Sequence, residues 1–141
     1  MSTMKVINVV HPSGSTNNIV NDNAGNITVG GSVTDSKGEV RTVPVNSQTA
    51  AYTVVAGDAG KFISITTGGV SVLTTTSFTT GQSVSIYNNS GSNQTITQGA
   101  SVTIYQVGTA NTGNRTLAQR GLCTLLCVGS NTYVITGGGV T

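Results

Sequence analysis

The stretch Gly81–Gly99, GQSVSIYNNSGSNQTITQG, decides the fold class. Val84 and Ile86 alternate with Ser85 and Tyr87, the period-two pattern of a half-buried strand. A polar run, Asn88-Asn89-Ser90-Gly91-Ser92-Asn93, follows, and Thr95-Ile96-Thr97 resumes the alternation. Asn and Gly tolerate positive φ, and Ser and Asn side chains bond nearby backbone, so the run predicts a hairpin loop. None of these side chains is chemically reactive, so the stretch reads as a β-frame that presents a surface.

The composition around it agrees. Only 7% of the 141 residues are charged and 4% are aromatic, against 36% apolar and 19 Gly. Average soluble domains carry roughly 25% charged residues, so this surface must be built from Ser, Thr, Asn, Gln and Gly. Thr and Val favour pleated, half-buried surfaces, and Gly and Asn punctuate turns. The chain is too rich in β-branched apolar residues for disorder. The expected fold is all-β, a small antiparallel sandwich or barrel of jelly-roll type.

The formal net charge is +2. The basic residues Lys5, Lys37, Lys61, Arg41, Arg115 and Arg120 are scattered, whereas a phosphate backbone selects clusters, so nucleic acid is not an expected partner. No apolar run reaches the ~20 residues of a spanning helix, and Met1–Lys5 is not followed by a signal-type apolar segment. The expectation is a soluble chain that folds in a cytoplasm without a membrane partner.

Residues 1–48 differ from the rest. Lys5-Val6-Ile7-Asn8-Val9-Val10 reads as a short strand ended by His11-Pro12-Ser13-Gly14. Beyond it Val20-Asn21-Asp22-Asn23-Ala24-Gly25-Asn26-Ile27 matches Val33-Thr34-Asp35-Ser36-Lys37-Gly38-Glu39-Val40. In this V-x-D-x-x-G-x-[IV] pattern Asp opens a turn, Gly closes it and a β-branched residue resumes the strand. Asp22 and Asp35 lack the further carboxylates of a calcium loop, so the turn reading prevails. Two such units bury little apolar surface. They predict an extended arm of short hairpins that orders against another subunit or protein, with Lys5, Val6, Ile7, Val9, Val10, Ile19, Val20, Ile27 and Val29 as its contact residues. Val43-Pro44-Val45-Asn46-Ser47-Gln48 reads as the exit of the arm, Pro44 being unsuited to a central strand.

Residues 49–141 read as a β-sandwich domain. Strands are expected at Ala51–Val55, Lys61–Thr67, Val70–Leu73, Val102–Tyr105, Leu122–Val128 and Thr132–Thr136, beside the pair in Gly81–Gly99. Arg115–Gly121 could make one helical turn, and Gly137-Gly138-Gly139 reads as a frayed tail. Phe62, Phe78, Tyr52, Tyr87, Tyr105 and Tyr133 are the only rings for the core. Cys123 and Cys127 would share a strand face roughly 13 Å apart, beyond disulfide reach, and read as small buried side chains. So few large side chains, and strands without Lys or Glu guards, predict oligomerisation.

The inventory for chemistry is thin. His11 is the only histidine, and no G-x-S-x-G elbow occurs. Asp22, Asp35, Asp58 and Glu39 all fall at predicted turns, so paired carboxylates would need turn tips to converge. Neither an enzyme nor a metal or other cofactor is expected. A sugar platform would have to use Tyr87 and Tyr105, since Trp is absent.

The run from Tyr52 to Thr141 resembles a β-domain of tailed-bacteriophage structural proteins. The resemblance rests on AYTVVAGDAGKFISITTGG, SIYNNSGSNQTITQG and TGNRTLAQRGLCTLLCVGSNTYVITGGG. HPSGSTNNIVNDNAGNITVGGSV is similar to segments of phage fibre and virion-surface proteins. The resemblance implies a non-enzymatic virion protein, a homotrimer assembled in the host bacterial cytoplasm. A chain this short lacks the repeated shaft of a long fibre. The form that suits it is a capsid cement or decoration protein, whose arm binds the major capsid protein on the head surface. The alternative is a receptor-binding tail-fibre or head-fibre domain that engages a host-surface glycan.

Overall fold

The computed structural model describes residues 8–10, 17–21, 24–29, 33–36, 38–40 and 42–141. The chain forms two compact units, Met1–Thr42 and Val43–Thr141. In the first, β1 (Asn8–Val10), β2 (Asn17–Asn21) and β3 (Ile27–Val29) form an antiparallel sheet in that order. β4 (Thr34–Asp35) and β5 (Gly38–Glu39) make a separate two-stranded hairpin, closed by the Val40 N–H donating to the Val33 carbonyl at 2.8 Å.

The second unit is a single nine-stranded sheet curled into a nearly closed barrel, without an α-helix. Its strands are β6 (Val45–Gln48), β7 (Tyr52–Thr53), β8 (Phe62–Ile65), β9 (Val70–Val72), β10 (Ser83–Asn88), β11 (Gln94–Gln98), β12 (Thr103–Gln106), β13 (Arg115–Gly129) and β14 (Thr132–Val140). Val45–Gln48 therefore belongs to the barrel as an edge strand and is not the exit of the arm, and the units meet at Thr42/Val43. Pro44 tolerates this place because its carbonyl still accepts from the Phe62 N–H at 2.9 Å.

The pairing is not the antiparallel one expected. β6/β8, β8/β10, β7/β9, β9/β11 and β12/β14 are all parallel, while β10/β13, β11/β13 and β13/β14 are antiparallel. From Val45 to Gln98 successive strands alternate between two stacks, β6-β8-β10 and β7-β9-β11, so the chain winds as a coil. Two coils match in detail. The turn Ala56–Asp58 follows β7, and Thr74–Thr76 follows β9. In each, the side chain at the third position accepts the backbone N–H three residues before it, Val55 to Asp58 and Leu73 to Thr76.

β13 welds the coil together. Its first residues pair with β11 (Ile96↔Arg115) and its later ones with β10 (Tyr87↔Leu122), so β10 and β11 lie end to end along one edge of it. Gly81–Gly99 is accordingly two strands joined by a corner and not a hairpin. Asn88 pins that corner from inside: fully buried, its amide donates to the carbonyls of Ser92, Leu117 and Ala118. The register of β13 shifts between Leu117 and Leu122, where Arg120 takes φ 58°; Arg115–Gly121 is bulged strand and not a helical turn. Gly137–Gly139 follows this bend as part of β14 and is not a frayed tail. A Cβ on Gly137, at φ 150°, would stand 2.2 Å from the Leu122 carbonyl oxygen.

The alternation sorts the side chains as the sequence predicts. Ile63, Ile65, Val70, Val72, Val84, Ile86, Ile96, Leu117, Leu125 and Ile135 form one buried core. Cys123 and Cys127 share it as free thiols, and burial pushes the Cys123 thiol up to about 12. Of the rings, Tyr133 and Phe78 are buried and meet edge to face at 6.3 Å. Tyr105 is 38% exposed, so it is no core residue.

Candidate functional site

Two features of the barrel are built with more care than packing alone demands. The first is the polar end of the core. Along the inner face the rows Ile86–Ile63–Asn46 and Asn88–Ile65–Gln48 turn polar at β6, where the sheet ends. Asp58, 2% exposed, closes this end. Its Oδ1 accepts from Asn46 Nδ2 at 2.8 Å, and its Oδ2 from the Tyr52 hydroxyl at 2.8 Å and the Val55 N–H at 2.9 Å. Gln48 Nε2 donates in turn to Asn46 Oδ1 at 2.6 Å. Three donors replace the water that a buried carboxylate loses, each hydrogen bond to a charged group contributing about 1.5–3 kcal/mol. The Tyr52 hydroxyl titrates above its ordinary range, first through desolvation and then through its bond to Asp58.

Asp58 thus sits in the turn predicted for it, but its carboxylate points inward. Both oxygens accept from donors that tie β6 and β7 together, which makes Asp58 a structural pin buried away from solvent. Among the described residues no three His, Cys, Asp or Glu side chains come together as a metal-binding set.

The second feature is the outer face of β6, β8, β10, β13, β14 and β12, which are neighbours in that order. Register places Val45, Phe62, Ser85, Thr124 and Thr136 in one row across it. Ser47, Ser64, Tyr87, Leu122 and Gly138 make a second, and Ser83, Leu126, Val134 and Tyr105 a third. No residue of these rows is charged. Val45 is 54% exposed, Leu122 51% and Leu126 40%. Ser85 is small, and its hydroxyl is held at 3.2 Å from that of Thr124. Phe62, Tyr87, Leu122 and Val43 rise around it and enclose an apolar hollow of about 340 Å³.

The predicted arm contacts fall as follows. Val9 and Val10 lie on β1, Ile19 and Val20 on β2, and Ile27 and Val29 on β3, with Ile19 opposite Val29. Ile27 is exposed. Lys5, Val6 and Ile7 lie outside the described residues, as do His11 and Asp22. Sequence reasoning missed the hollow. Tyr87 and Leu122 become neighbours only through the β10/β13 ladder, and no local pattern announces a pairing across that separation. A signal was present: Leu122, Leu126 and Val128 are apolar at positions whose alternation with Cys123, Leu125 and Cys127 marks them as outward-facing.

Comparison of the sequence with known protein families and with curated proteins finds no match.

Proposed function

We propose that this chain is a non-enzymatic structural protein of a tailed-bacteriophage virion, a cement or decoration protein. In this reading the arm holds the major capsid protein and the barrel projects from the head surface. The observation that carries it is the division at Thr42/Val43 between a unit of short hairpins and a barrel with its own continuous core. Among the described residues every member of the barrel's core, from Val54 to Ile135, belongs to the second unit, which supports a separate task for the arm. The sequence resemblance to phage virion proteins is what supports a phage particle in this reading.

The test is co-sedimentation with phage heads stripped of the protein. The full chain should bind and stay bound. The chain lacking residues 1–42 should remain folded and stay in the supernatant, and equal occupancy by the shortened chain would overturn the reading. A receptor-binding role is the second reading. It is favoured by Tyr105, exposed on β12 in one row with Val134 and Leu126. It requires that Tyr105→Ala lower adsorption to host cells while the melting curve stays in place.

A further inference from the structure

From the uncharged outer face we infer that a second copy of this chain packs on β6-β8-β10-β13-β14-β12, seating the Leu126–Val128 ridge of one copy in the Val43–Phe62–Tyr87–Leu122 hollow of the other. Three observations select that occupant. First, the face carries both halves of the contact. Leu126 and Val128 stand 40% and 44% exposed at one end of β13, and the hollow opens beside Leu122 toward the other. Secondly, the rows contain only Ser, Thr, Tyr, Gly and aliphatic or Phe residues, which offer no charge to a phosphate or a charged headgroup but match another face of the same kind. Thirdly, the size fits. Six strands at about 4.8 Å and three rows at about 6.7 Å give a footprint of roughly 24 by 13 Å between backbone positions. Side-chain relief widens this to several hundred Å² per copy, comparable with the largest patches that monomers expose and at the low end of specific interfaces, which fits a weak self-association.

Hollow and ridge are different patches of one face. The contact can therefore close as a reciprocal two-fold pair or, copy after copy, as a ring. This inference goes beyond the virion reading and does not rest on it. An oligomer that ignores phage heads would defeat that reading alone, and a monomer that coats heads would defeat this one alone.

The experiment is sedimentation velocity of the full chain from micromolar to millimolar concentration. The expected species has two or three times the 14.2 kDa of one chain. Leu122→Glu and Leu126→Glu place a charge in the contact without touching the core, and each should weaken association about 100-fold or more. Val55→Glu, an exposed apolar position that follows β7 in the other stack, should leave the mass unchanged. Should either face variant fail to fold, hydroxyl-radical labelling of the unaltered chain decides the matter. Phe62, Tyr87 and Leu122 should lose reactivity as concentration rises, while Val55 should not. A chain that stays monomeric, or an oligomer indifferent to Leu122→Glu, or unchanged labelling at Tyr87, would overturn the inference.

Discussion

The two parallel stacks, β6-β8-β10 and β7-β9-β11, belong to the same coil and send the same kind of side chain inward, yet they turn different surfaces outward. The first shows Val45, Phe62 and Tyr87 set among Ser47, Ser64, Ser83 and Ser85, where the second has no large apolar residue in its matching rows. The second shows hydroxyls: Thr53, Ser71 and Thr97 stand in one row, with Thr95 beside Thr116 in the next. Inward the stacks are alike, with Ile63, Ile65 and Ile86 in one and Val70, Val72 and Ile96 in the other. Core formation cannot explain the asymmetry, because both stacks satisfy it equally. An apolar outward face costs solubility and is retained where something covers it; a hydroxyl face is at ease in water.

The comparison can be pressed hardest at the open edge. Removing residues 1–42 should leave the barrel folded and melting cooperatively. Removing residues 1–48 also strips β6 from the apolar stack and leaves Asp58 Oδ1 without its Asn46 donor. That second cut should lower stability by about 4 kcal/mol or more, read from urea denaturation. Similar curves for the two truncations would show that β6 is dispensable and that the barrel starts later.

Next in size is the contrast between the two sides of β13. Leu125→Ala opens a cavity in a fully buried site and should cost about 3 kcal/mol. Its neighbour Leu126→Ala, on the outer face, should change the stability of the isolated barrel by less than about 0.5 kcal/mol. On the hydroxyl side, Gly69 takes φ 71°, and a Cβ there would lie 2.5 Å from the Thr95 carbonyl oxygen. Gly69→Ala should therefore cost about 2 kcal/mol, whereas Gly81→Ala, with nothing within 4 Å, should cost about 1 kcal/mol for its positive φ alone.

The effect confined to alkaline conditions is a pH slope. Burial raises the Cys123 thiol from its ordinary 9.0 to about 12 in the folded chain. The unfolded chain therefore loses this proton first. The stabilisation is fully present below about pH 9 and is lost as pH rises toward about 12, by up to ~1.4 kcal/mol per pH unit. Tyr52, also raised by burial, acts in the same direction at higher pH. Cys123→Val should flatten the fall in urea midpoint between about pH 9 and pH 10. An unchanged slope would mean that the thiol is not the group responsible.

Much of this was legible along the chain. The alternation of Val84 and Ile86 with Ser85 and Tyr87 is present in β10 as read, and Cys123 and Cys127 lie on one strand as buried free thiols. Four expectations failed together, and for one reason. The hairpin at Gly81–Gly99, the antiparallel sheet, the helical turn at Arg115–Gly121 and the frayed Gly137–Gly139 were each judged from neighbours in sequence. The hairpin, the helical turn and the tail depend on β13, which pairs with β10 on one part of its length, β11 on another and β14 on its other edge, and the parallel pairing depends on the winding of β6 to β11. The polar run Asn88–Asn93 has the composition of a tight reversal and equally that of a corner. Only the three carbonyls waiting for the Asn88 amide distinguish the two.

What the amino-acid sequence determined by itself is the β class and the sorting of side chains, because a period of two depends on nothing beyond adjacent residues. The partner of each strand, the parallel winding and the meeting of Phe62, Tyr87 and Leu122 around Ser85 were decided by the tertiary structure. Backbone N–H and C=O groups are the same in every strand, so pairing is chosen by how the whole set of inward side chains can be buried at once. The hollow on the outer face is a by-product of that choice, and it was therefore not visible in the sequence.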